Sequence, residues 1–300
     1  MFSFESSAGD AVNIQVHDWP SAKPRATVIV AHGAAEHGKR YERLAMALNA
    51  AGYSVLAPDH RGHGLTGQAQ TLGVFASDDG WNRAVADIRQ LIGIARERAA
   101  VPVVLMGHSM GSFMAQQCIA EFGHELDAVV LSGSTILDGF GELVPVLAAE
   151  IEQQGRDLPS PVMTQMMGSG MGGEFTDGDT GYEWLSRDKA EVQKYVDDPL
   201  CGFGLSSGAW YDMIANNRLA SGPEGFAHTP KSLPIYLFAG DKDPINGALA
   251  GVYALENLYA AAGFLSVISR YYPDGRHEML NEINRDEVTE DLIRWLNENV

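Results

Sequence analysis

The sequence has few cysteines and no long apolar run. Two cysteines in 300 residues, Cys118 and Cys201, cannot form the disulfide framework typical of small secreted proteins, and Cys118 lies in an apolar helical pattern that favours a small buried residue. No window reaches the roughly 18 uninterrupted apolar residues that a membrane span needs. The N-terminal stretch MFSFESSAGDAVNIQV has no basic start and an early Glu5, so it does not resemble a signal peptide. A soluble, cytoplasmic protein is therefore expected.

Basic residues are also scarce. The chain carries 21 Lys and Arg against 39 Asp and Glu, which gives a formal net charge of −18. Nucleic acids and anionic lipid surfaces attract proteins through a basic footprint, so this charge argues against both as partners. An acidic surface does not exclude a lipid substrate, because apolar side chains can contact a membrane or micelle without any charge.

The apolar pattern predicts an α/β fold. Two short strands, at residues 2–5 and 12–16, come first, and apolar runs typical of strands buried on both faces then alternate with amphipathic helices. The predicted buried strands are residues 26–31, 54–57, 103–106, 128–132, 235–239 and 265–268, and the predicted helices are 41–51, 78–99, 110–121, 248–262 and 287–299. This alternation, with its short connections, indicates a mostly parallel sheet covered by helices on both faces.

The alternation stops between residues 133 and 228. This segment is rich in glycine and methionine and holds scattered aromatic residues. We therefore predict a core domain formed by residues 1–132 and 229–300, interrupted by a cap inserted over residues 133–228.

A serine between glycines follows one of the predicted strands. Residues 107–112 read GHSMGS, directly after the apolar run 103–106. A strand that ends in Gly-x-Ser-x-Gly can turn so tightly that the Ser109 hydroxyl stands clear of the sheet, where a substrate can reach it. Taken alone, the same six residues also fit an ordinary loop between a strand and a helix. A nucleophilic role requires a base to take the serine proton and an acid to orient that base.

A candidate acid and a candidate base follow later in the chain, in the order serine, acid, histidine. His277 is the only histidine after residue 228, and it follows the last predicted strand. Asp243, in the loop after the preceding strand, is the candidate acid, with Asp241 as its competitor and Asp274 as a more distant one. Each aspartate could instead be a turn or cap residue.

This chemistry also needs hydrogen-bond donors that stabilise the negative charge that develops on the substrate. One expected donor is the backbone N–H of Met110, the residue after the nucleophile. The other is expected in the loop after strand 26–31, which reads HGAAEHG, and Ala34 N–H is the candidate because small residues there let the backbone approach a substrate closely. Two such donors could supply several kcal/mol of transition-state stabilisation.

Several segments share the motifs of one known family. They are HGAAEHGKRY (32–41), PDHRGHGLT (58–66), GHSMGS (107–112), GDKDPI (240–245), DGRHEMLNE (274–282) and, in the cap, residues 186–188 and 195–200. On these segments the chain resembles the α/β-hydrolase superfamily and, within it, the monoglyceride lipase and lysophospholipase group of serine aminopeptidase S33-type hydrolases. The first segment is similar to the group's HG-x-GEH-x-x-RY, with Ala35 in place of a glycine.

This resemblance implies an α/β-hydrolase fold with an inserted, mainly helical cap that sets specificity. It also implies a serine hydrolase of carboxylic esters, a monoacylglycerol lipase or a lysophospholipase, that uses Ser109, His277 and Asp243 and forms an acyl-enzyme. A small acyl ester, a monoacyl lipid in particular, is the expected substrate. No cofactor and no metal are expected, and apolar cap residues are expected to contact a membrane or micelle transiently.

Other functions stay open on the same residues. A small-ester esterase, a thioesterase or an acyltransferase would use the same triad with a different pocket or a different acceptor. A non-catalytic hydrolase-fold binding protein is disfavoured because all three triad members are present. The methionine-rich stretch 163–171 has two interpretations: it packs in a core, or it lines an adaptable apolar pocket for an acyl chain, which the nearby nucleophile favours.

Motifs of nucleotide and metal sites are incomplete. Residues 33–39 fit a phosphate-binding loop, but Arg40 stands where a magnesium-binding Ser or Thr is needed. Residues 168–173 fit G-x-G-x-x-G without a preceding buried strand, and Asp177 begins an incomplete calcium loop. Five histidines are expected to hold the loops around the active site by hydrogen bonds rather than to bind a metal: His32, His37, His60, His63 and His108.

Overall fold

One central sheet organises the chain. The structure is a computed structural model that describes residues 1–137, 140–167, 171, 173–216 and 222–300. Within these residues the strands are β1 (Phe2–Glu5), β2 (Asn13–Trp19), β3 (Thr27–Ala31), β4 (Ser54–Pro58), β5 (Val103–His108), β6 (Ala128–Ser132), β7 (Ile235–Gly240) and β8 (Val267–Tyr272). They form a single sheet in the order β1-β2-β4-β3-β5-β6-β7-β8.

The sheet is mostly parallel. Strand β2 pairs antiparallel with both β1 and β4, whereas every pairing from β4 through β3 to β8 is parallel. Parallel strands need crossover connections, and helices supply them here. The predicted fold class is confirmed.

Helices cover both faces of the sheet. Their bounds are α1 (Glu42–Ala50), α2 (Gly64–Gln68), α3 (Gly80–Arg98), α4 (Met110–Phe122), α5 (Val144–Gln154), α6 (Pro161–Gln165), α7 (Lys189–Asp197), α8 (Ser207–Ala215), α9 (Ala250–Ala261) and α10 (Arg285–Asn299). Helices α3, α4 and α9 belong to one apolar core, and α1 and α10 belong to a second core on the opposite face.

Strand β5 illustrates why the buried strands read as continuous apolar runs. Val103 and Leu105 point into the first core, and Val104 and Met106 point into the second. Successive side chains of a strand face opposite sides of the sheet, so a strand covered on both faces needs apolar residues at every position.

The segment between β6 and β7 is mainly helical. It contains α5 to α8 and, among its described residues, one isolated antiparallel bridge between Pro159 and Ser206. Helix α5 packs against α8, and Leu147 of α5 is fully buried. The cap borders at residues 133 and 228 stay a prediction, and the G-x-G-x-x-G match at 168–173 lies mostly outside the described residues.

The element bounds differ from the predicted ones by a few residues. Strand β8 begins at Val267 rather than at Leu265, whose side chain is 81% exposed, and it continues to Tyr272. Helix α2 was not predicted, because five residues that include two glycines carry no helical period. None of the helices in the described part of the chain combines the length and the apolarity that crossing a bilayer requires.

The strand ends position the functional loops. His108 of β5 pairs with Ser132 of β6, and Gly240 of β7 pairs with Tyr272 of β8. The carboxyl ends of these parallel strands therefore point in the same direction. Ligand sites of open α/β sheets lie outside the carboxyl ends of the strands. The loops after β5, β7 and β8 carry the candidate nucleophile, acid and base.

Candidate active site

Ser109 stands at a strained turn between β5 and α4. Its backbone has φ +50° and ψ −121°, a conformation that residues other than glycine rarely adopt. The flanking glycines are required by space: a Cβ on Gly107 would lie 2.3 Å from the Gly111 carbonyl oxygen, and one on Gly111 would lie 2.1 Å from that of Ala31. The Ser109 N–H donates to the Ser132 carbonyl at 2.9 Å, which holds the turn against β6.

The structure brings His277 and Asp243 together. His277 Nδ1 lies 3.0 Å from Asp243 Oδ2, and both side chains are buried. Asp243 also accepts hydrogen bonds from the Ile245 N–H at 2.9 Å and the Asn246 side chain at 3.1 Å, which fix its carboxylate. With Nδ1–H donating to Asp243, the Nε2 atom of His277 is left as the proton acceptor.

The competing aspartates do not reach the histidine. Asp241 accepts a hydrogen bond from the Asp274 N–H at 2.8 Å, and the Asp274 side chain is exposed. Of the three candidate acids, Asp243 is the one that lies beside His277. The hydrogen bond between Asp274 and Asp241 joins the loops after β7 and β8.

The surroundings of His277 raise its pKa above that of an ordinary histidine. Burial lowers the pKa of His277, but the carboxylates of Asp243, Glu278 and Glu36 outweigh burial and raise it. The neighbouring His108 ring, with its centroid 4.8 Å away, stays neutral, because burial and the charge of His277 lower its pKa to about 4. A raised pKa suits a base that must hold a proton during part of a reaction cycle.

Ser109 and His277 line the same cavity without a direct bond. Among the described residues, no hydrogen bond joins the Ser109 hydroxyl to the His277 ring, although both side chains face this cavity of about 200 Å³. Nucleophile and base are often further apart in a free enzyme and approach each other when substrate binds.

Two backbone N–H groups close to the Ser109 turn, those of Ala34 and Met110, are the candidate oxyanion donors. Within the described residues, neither the Ala34 N–H nor the Met110 N–H donates to a protein acceptor, and Met110 opens α4, where the first N–H groups lack helical partners. Ala34 lines the cavity beside Ser109. Ala35 has φ +54°, and its conformation is held by the Ala35 N–H donating to His63 Nε2 at 3.1 Å.

Histidines around the site fix the loops. His32 Nδ1 bonds to the Gly33 carbonyl at 2.8 Å while its Nε2 accepts from the His60 N–H at 3.0 Å, and His63 Nδ1 bonds to the Arg61 carbonyl at 2.9 Å. Burial is the largest cause that lowers the pKa of His60 to about 3 and of His63 to about 4, so these rings are neutral near pH 7. Their hydrogen bonds match the loop-holding role expected from the sequence.

Two other groups of side chains have metal-ligand chemistry. In the described part of the chain they are His17, His37 and Asp59, and His37, Asp198 and Cys201. Protein partners already engage them: His17 Nε2 lies 3.2 Å from Asp59, and His37 Nε2 lies 3.0 Å from Asp198. Asp59 further accepts from the backbone of residues 38 and 65. Sequence reasoning did not find these groups, because their members are far apart in the chain.

Apolar residues of the segment between β6 and β7, the predicted cap, form part of the cavity wall. Its wall includes two of the methionines singled out in the sequence, and Met163 among them is 1% exposed. Met171 instead packs beside a separate small core. The apolar lining residues from the cap are Met163, Met167, Trp184, Leu185, Phe203, Leu205 and Trp210.

Charged residues at the same cavity were not singled out from the sequence. Glu36 and Glu278 line it, and Arg40 bridges their carboxylates. All three lie in motif segments that carry the family resemblance, but a motif does not reveal which side chains of two distant loops meet.

Known proteins resemble this chain in sequence and in fold. The sequence profile of the family described as serine aminopeptidase, S33, matches residues 22–284. The chain is 32% identical over 279 residues to a monoacylglycerol lipase of Mycolicibacterium smegmatis, covering 92% of this chain and 90% of that protein. It is 28% identical over 274 residues to the monoglyceride lipase of Mus musculus, covering 88% and 83%. The crystal structure of a thermostable carboxyl esterase from Bacillus coagulans, in complex with glycerol, superposes with a TM-score of 0.89 at 31% identity, covering 99% and 97%.

The fold and these likenesses define the class: the chain is an α/β-hydrolase and a hydrolase of carboxylic esters, as the sequence predicted. Within that class, the chain belongs to the serine aminopeptidase S33 family. The predicted likeness to monoglyceride lipases is also confirmed.

Proposed function

We propose that this protein hydrolyses monoacylglycerols through Ser109, His277 and Asp243. The observation that carries the proposal is one cavity lined by the strained Ser109, by Ala34 and by His277, whose ring is paired with the buried Asp243. The N–H groups of Ala34 and of Met110, the residue after the serine, have no acceptor within the described chain. Nucleophile, base and oxyanion donors at a shared cavity are the parts that acyl transfer needs.

The mechanism follows from the positions of these groups. His277 Nε2 takes the Ser109 proton as the hydroxyl attacks the ester carbonyl, and Asp243 stabilises the imidazolium that forms. The Ala34 and Met110 N–H groups donate to the oxyanion, each contributing about 3 kcal/mol of transition-state stabilisation. His277 then returns the proton to the leaving alcohol as the ester C–O bond breaks. Water next attacks the acyl-enzyme: His277 takes a proton from the water and gives it to Ser109 Oγ as the carboxylic acid leaves.

Two features support a neutral monoacyl lipid as substrate. The apolar cap residues around the cavity provide the environment of an acyl chain, and two relatives are named as monoacylglycerol and monoglyceride lipases. Two carboxylates, Glu36 and Glu278, accompany the Arg40 guanidinium near His277. Their excess negative charge disfavours an anionic phosphate beside the leaving group, so we favour a glycerol head group over that of a lysophospholipid.

A small-ester carboxylesterase is the second candidate. It is favoured by the likeness to the Bacillus coagulans carboxyl esterase, which matches at 31% identity with a TM-score of 0.89. Such an enzyme would use the same catalytic groups, with short rather than long acyl chains in the cavity.

Exposed apolar side chains on the cap suggest where a lipid surface makes contact. Val146 of α5 is 39% exposed and Leu158 is 53% exposed. We propose that they touch a micelle or membrane while substrate enters. Replacing both by Ser should lower activity on micellar monoacylglycerol and leave hydrolysis of dissolved p-nitrophenyl butyrate unchanged; equal loss on both substrates would contradict this role. The cytoplasmic location stays a prediction.

The proposed function is tested with a p-nitrophenyl ester series from acetyl to palmitoyl, with a monoacylglycerol and lysophosphatidylcholine in parallel. Ser109→Ala should abolish turnover and fluorophosphonate labelling, whereas Ser77→Ala, at an exposed serine, should change neither. A maximum at medium or long chains with monoacylglycerol turnover supports the proposal. Turnover of short esters alone supports the second candidate, and preferred lysophosphatidylcholine contradicts the head-group argument. No turnover and no labelling would refute the catalytic proposal.

A further inference from the structure

A buried guanidinium joins two loops of the candidate site. Arg40 Nη1 donates to Glu36 Oε2 at 2.5 Å and to Glu278 Oε1 at 2.7 Å, and Arg40 Nη2 donates to Glu278 Oε2 at 2.8 Å. The exposed fractions of the Arg40, Glu36 and Glu278 side chains are 12%, 3% and 7%. We call these three residues the brace.

One arm of the brace holds the loop with the first oxyanion donor. Glu36 Oε1 accepts the Gly33 N–H at 2.5 Å and the Tyr41 hydroxyl at 2.9 Å. The Gly33 N–H belongs to the His32–Gly33 peptide, which directly precedes the Gly33–Ala34 peptide that carries the Ala34 N–H. The Glu36 carboxylate therefore fixes the backbone one peptide before the donor. The fit is close: a Cβ on Gly33 would lie 2.9 Å from Glu36 Oε1 and 3.2 Å from Ser109 Cβ.

The other arm holds the loop with the base. Glu278 directly follows His277, and its carboxylate is fixed by both Arg40 nitrogens and by the Asn281 side chain at 2.8 Å. Its backbone N–H donates to the Leu185 carbonyl of the cap at 2.7 Å. A bidentate guanidinium–carboxylate pair defines both distance and orientation.

We propose that Glu36, Arg40 and Glu278 are positioning residues that set the Ala34 N–H and His277 at the separation that acyl transfer requires. The inference rests on the proposed hydrolase function. The proposal also explains why Glu36, Arg40 and Tyr41 lie close together within HGAAEHGKRY. The Arg40 and Tyr41 side chains both donate to the Glu36 carboxylate. None of the brace residues exchanges a proton with substrate.

The brace also has an electrostatic consequence. The ionisable groups that act on or contact the His277 ring are Asp243, Glu278, Glu36 and His108. Arg40 is paired with both glutamates. Burial lowers the pKa of His277, and Asp243, Glu278 and Glu36 raise it. Glu278→Gln removes one negative charge while keeping the shape of the side chain. The acidic limb of kcat/KM, which requires neutral His277, should therefore move to lower pH.

The test compares Arg40→Lys and Glu278→Gln with Arg43→Lys. The Arg40→Lys variant would keep the charge of the brace but lose the bidentate geometry. Arg43 lies one turn further along and donates to the Leu280 carbonyl. It is not among the side chains that donate to the Glu36 and Glu278 carboxylates, so its variant is a matched control. Turnover of a p-nitrophenyl ester is expressed per fluorophosphonate-labelled site, which removes any contribution from unfolded protein. Binding of an alkylboronic acid, which forms a tetrahedral adduct with the serine, reports the oxyanion geometry.

For Arg40→Lys we expect kcat per labelled site to fall by about 10- to 100-fold with KM within about threefold, since a displacement near 1 Å costs roughly that much. Boronate affinity should weaken in parallel, and Arg43→Lys should match the wild type. Glu278→Gln should shift the acidic limb of kcat/KM to lower pH.

The inference is overturned if kcat per site and the acidic limb stay at wild-type values, or if only the labelled fraction falls. An inactive, unlabelled wild type would instead refute the proposed function itself, and the inference with it.

Discussion

Gly133 offers a sharp test of how closely the candidate base is packed. It follows β6 with φ +55°, and a Cβ added there would lie 2.8 Å from His277 Cε1 and 3.0 Å from His108 Cε1. Carbon atoms in contact prefer about 3.5 Å or more, so the His277 ring must move by roughly 0.7 Å in Gly133→Ala. Such a shift should disturb the 3.0 Å contact with Asp243 and lower kcat/KM by about 10- to 100-fold.

The same substitution also changes stability. Alanine in the left-handed region costs about 1–2 kcal/mol of folding free energy relative to glycine. Gly263→Ala isolates this cost, because Gly263 has φ +83° and no heavy atom lies within 4 Å of its added Cβ. Urea unfolding should show a loss of about 1–2 kcal/mol or more for Gly133→Ala and a similar backbone loss for Gly263→Ala.

Ester hydrolysis per fluorophosphonate-labelled site separates the two effects. Only Gly133→Ala should lose kcat/KM, while Gly263→Ala should retain the wild-type value. If Gly133→Ala kept kcat/KM within about threefold, the idea that catalysis depends on the close packing of His277 would be refuted. An equal loss of activity in Gly263→Ala would show that the loss follows from stability.

Three further predictions concern the acid, the pH dependence and the oxyanion loop. Asp243→Asn should lower kcat by roughly 10³- to 10⁴-fold and Asp241→Asn by less than about threefold; equal losses would refute the assignment of the acid. The acidic limb of kcat/KM should lie above the ordinary histidine pKa of about 6.5, because nearby carboxylates outweigh burial and raise the pKa of His277. By linkage, protonated His277 stabilises the fold below about pH 6.5, and that stabilisation is lost as the pH rises through the raised pKa. Ala35→Gly, at φ +54°, should keep kcat within about threefold and the free energy of unfolding within about 1 kcal/mol, and a large loss of activity would contradict the view that Ala35 replaces glycine without harm.

The sheet was predictable because its signal is local. Strands buried on both faces are continuous apolar runs, as in β5, and amphipathic helices such as α3 carry a 3.6-residue period over many turns. Bounds were less predictable where the apolar run and the hydrogen-bonded ladder differ. At β8 the exposed Leu265 extends the run, but pairing with β7 begins at Val267.

The candidate site was predictable in part for the same reason. Ser109 lies in a short motif whose glycines are required by atoms four or five residues away or at the end of the adjacent strand β3, so the local sequence carries most of the information. His277 was reached through strand order and the lack of another later histidine. Asp243 is favoured over Asp241 and Asp274 in the sequence only by its place in the loop after the strand, because their distances to His277 depend on the path of two loops.

The local sequence thus determined the order of strands and helices, the strained serine and the short set of possible partners, since hydrophobic period and turn chemistry act over a few residues. Tertiary structure decided which aspartate meets His277, which cap residues surround the cavity, and that Arg40 lies between Glu36 and Glu278. These contacts join segments up to 238 residues apart. They follow from packing and electrostatics of the whole fold, and a sequence pattern describes only residues that are near one another in the chain.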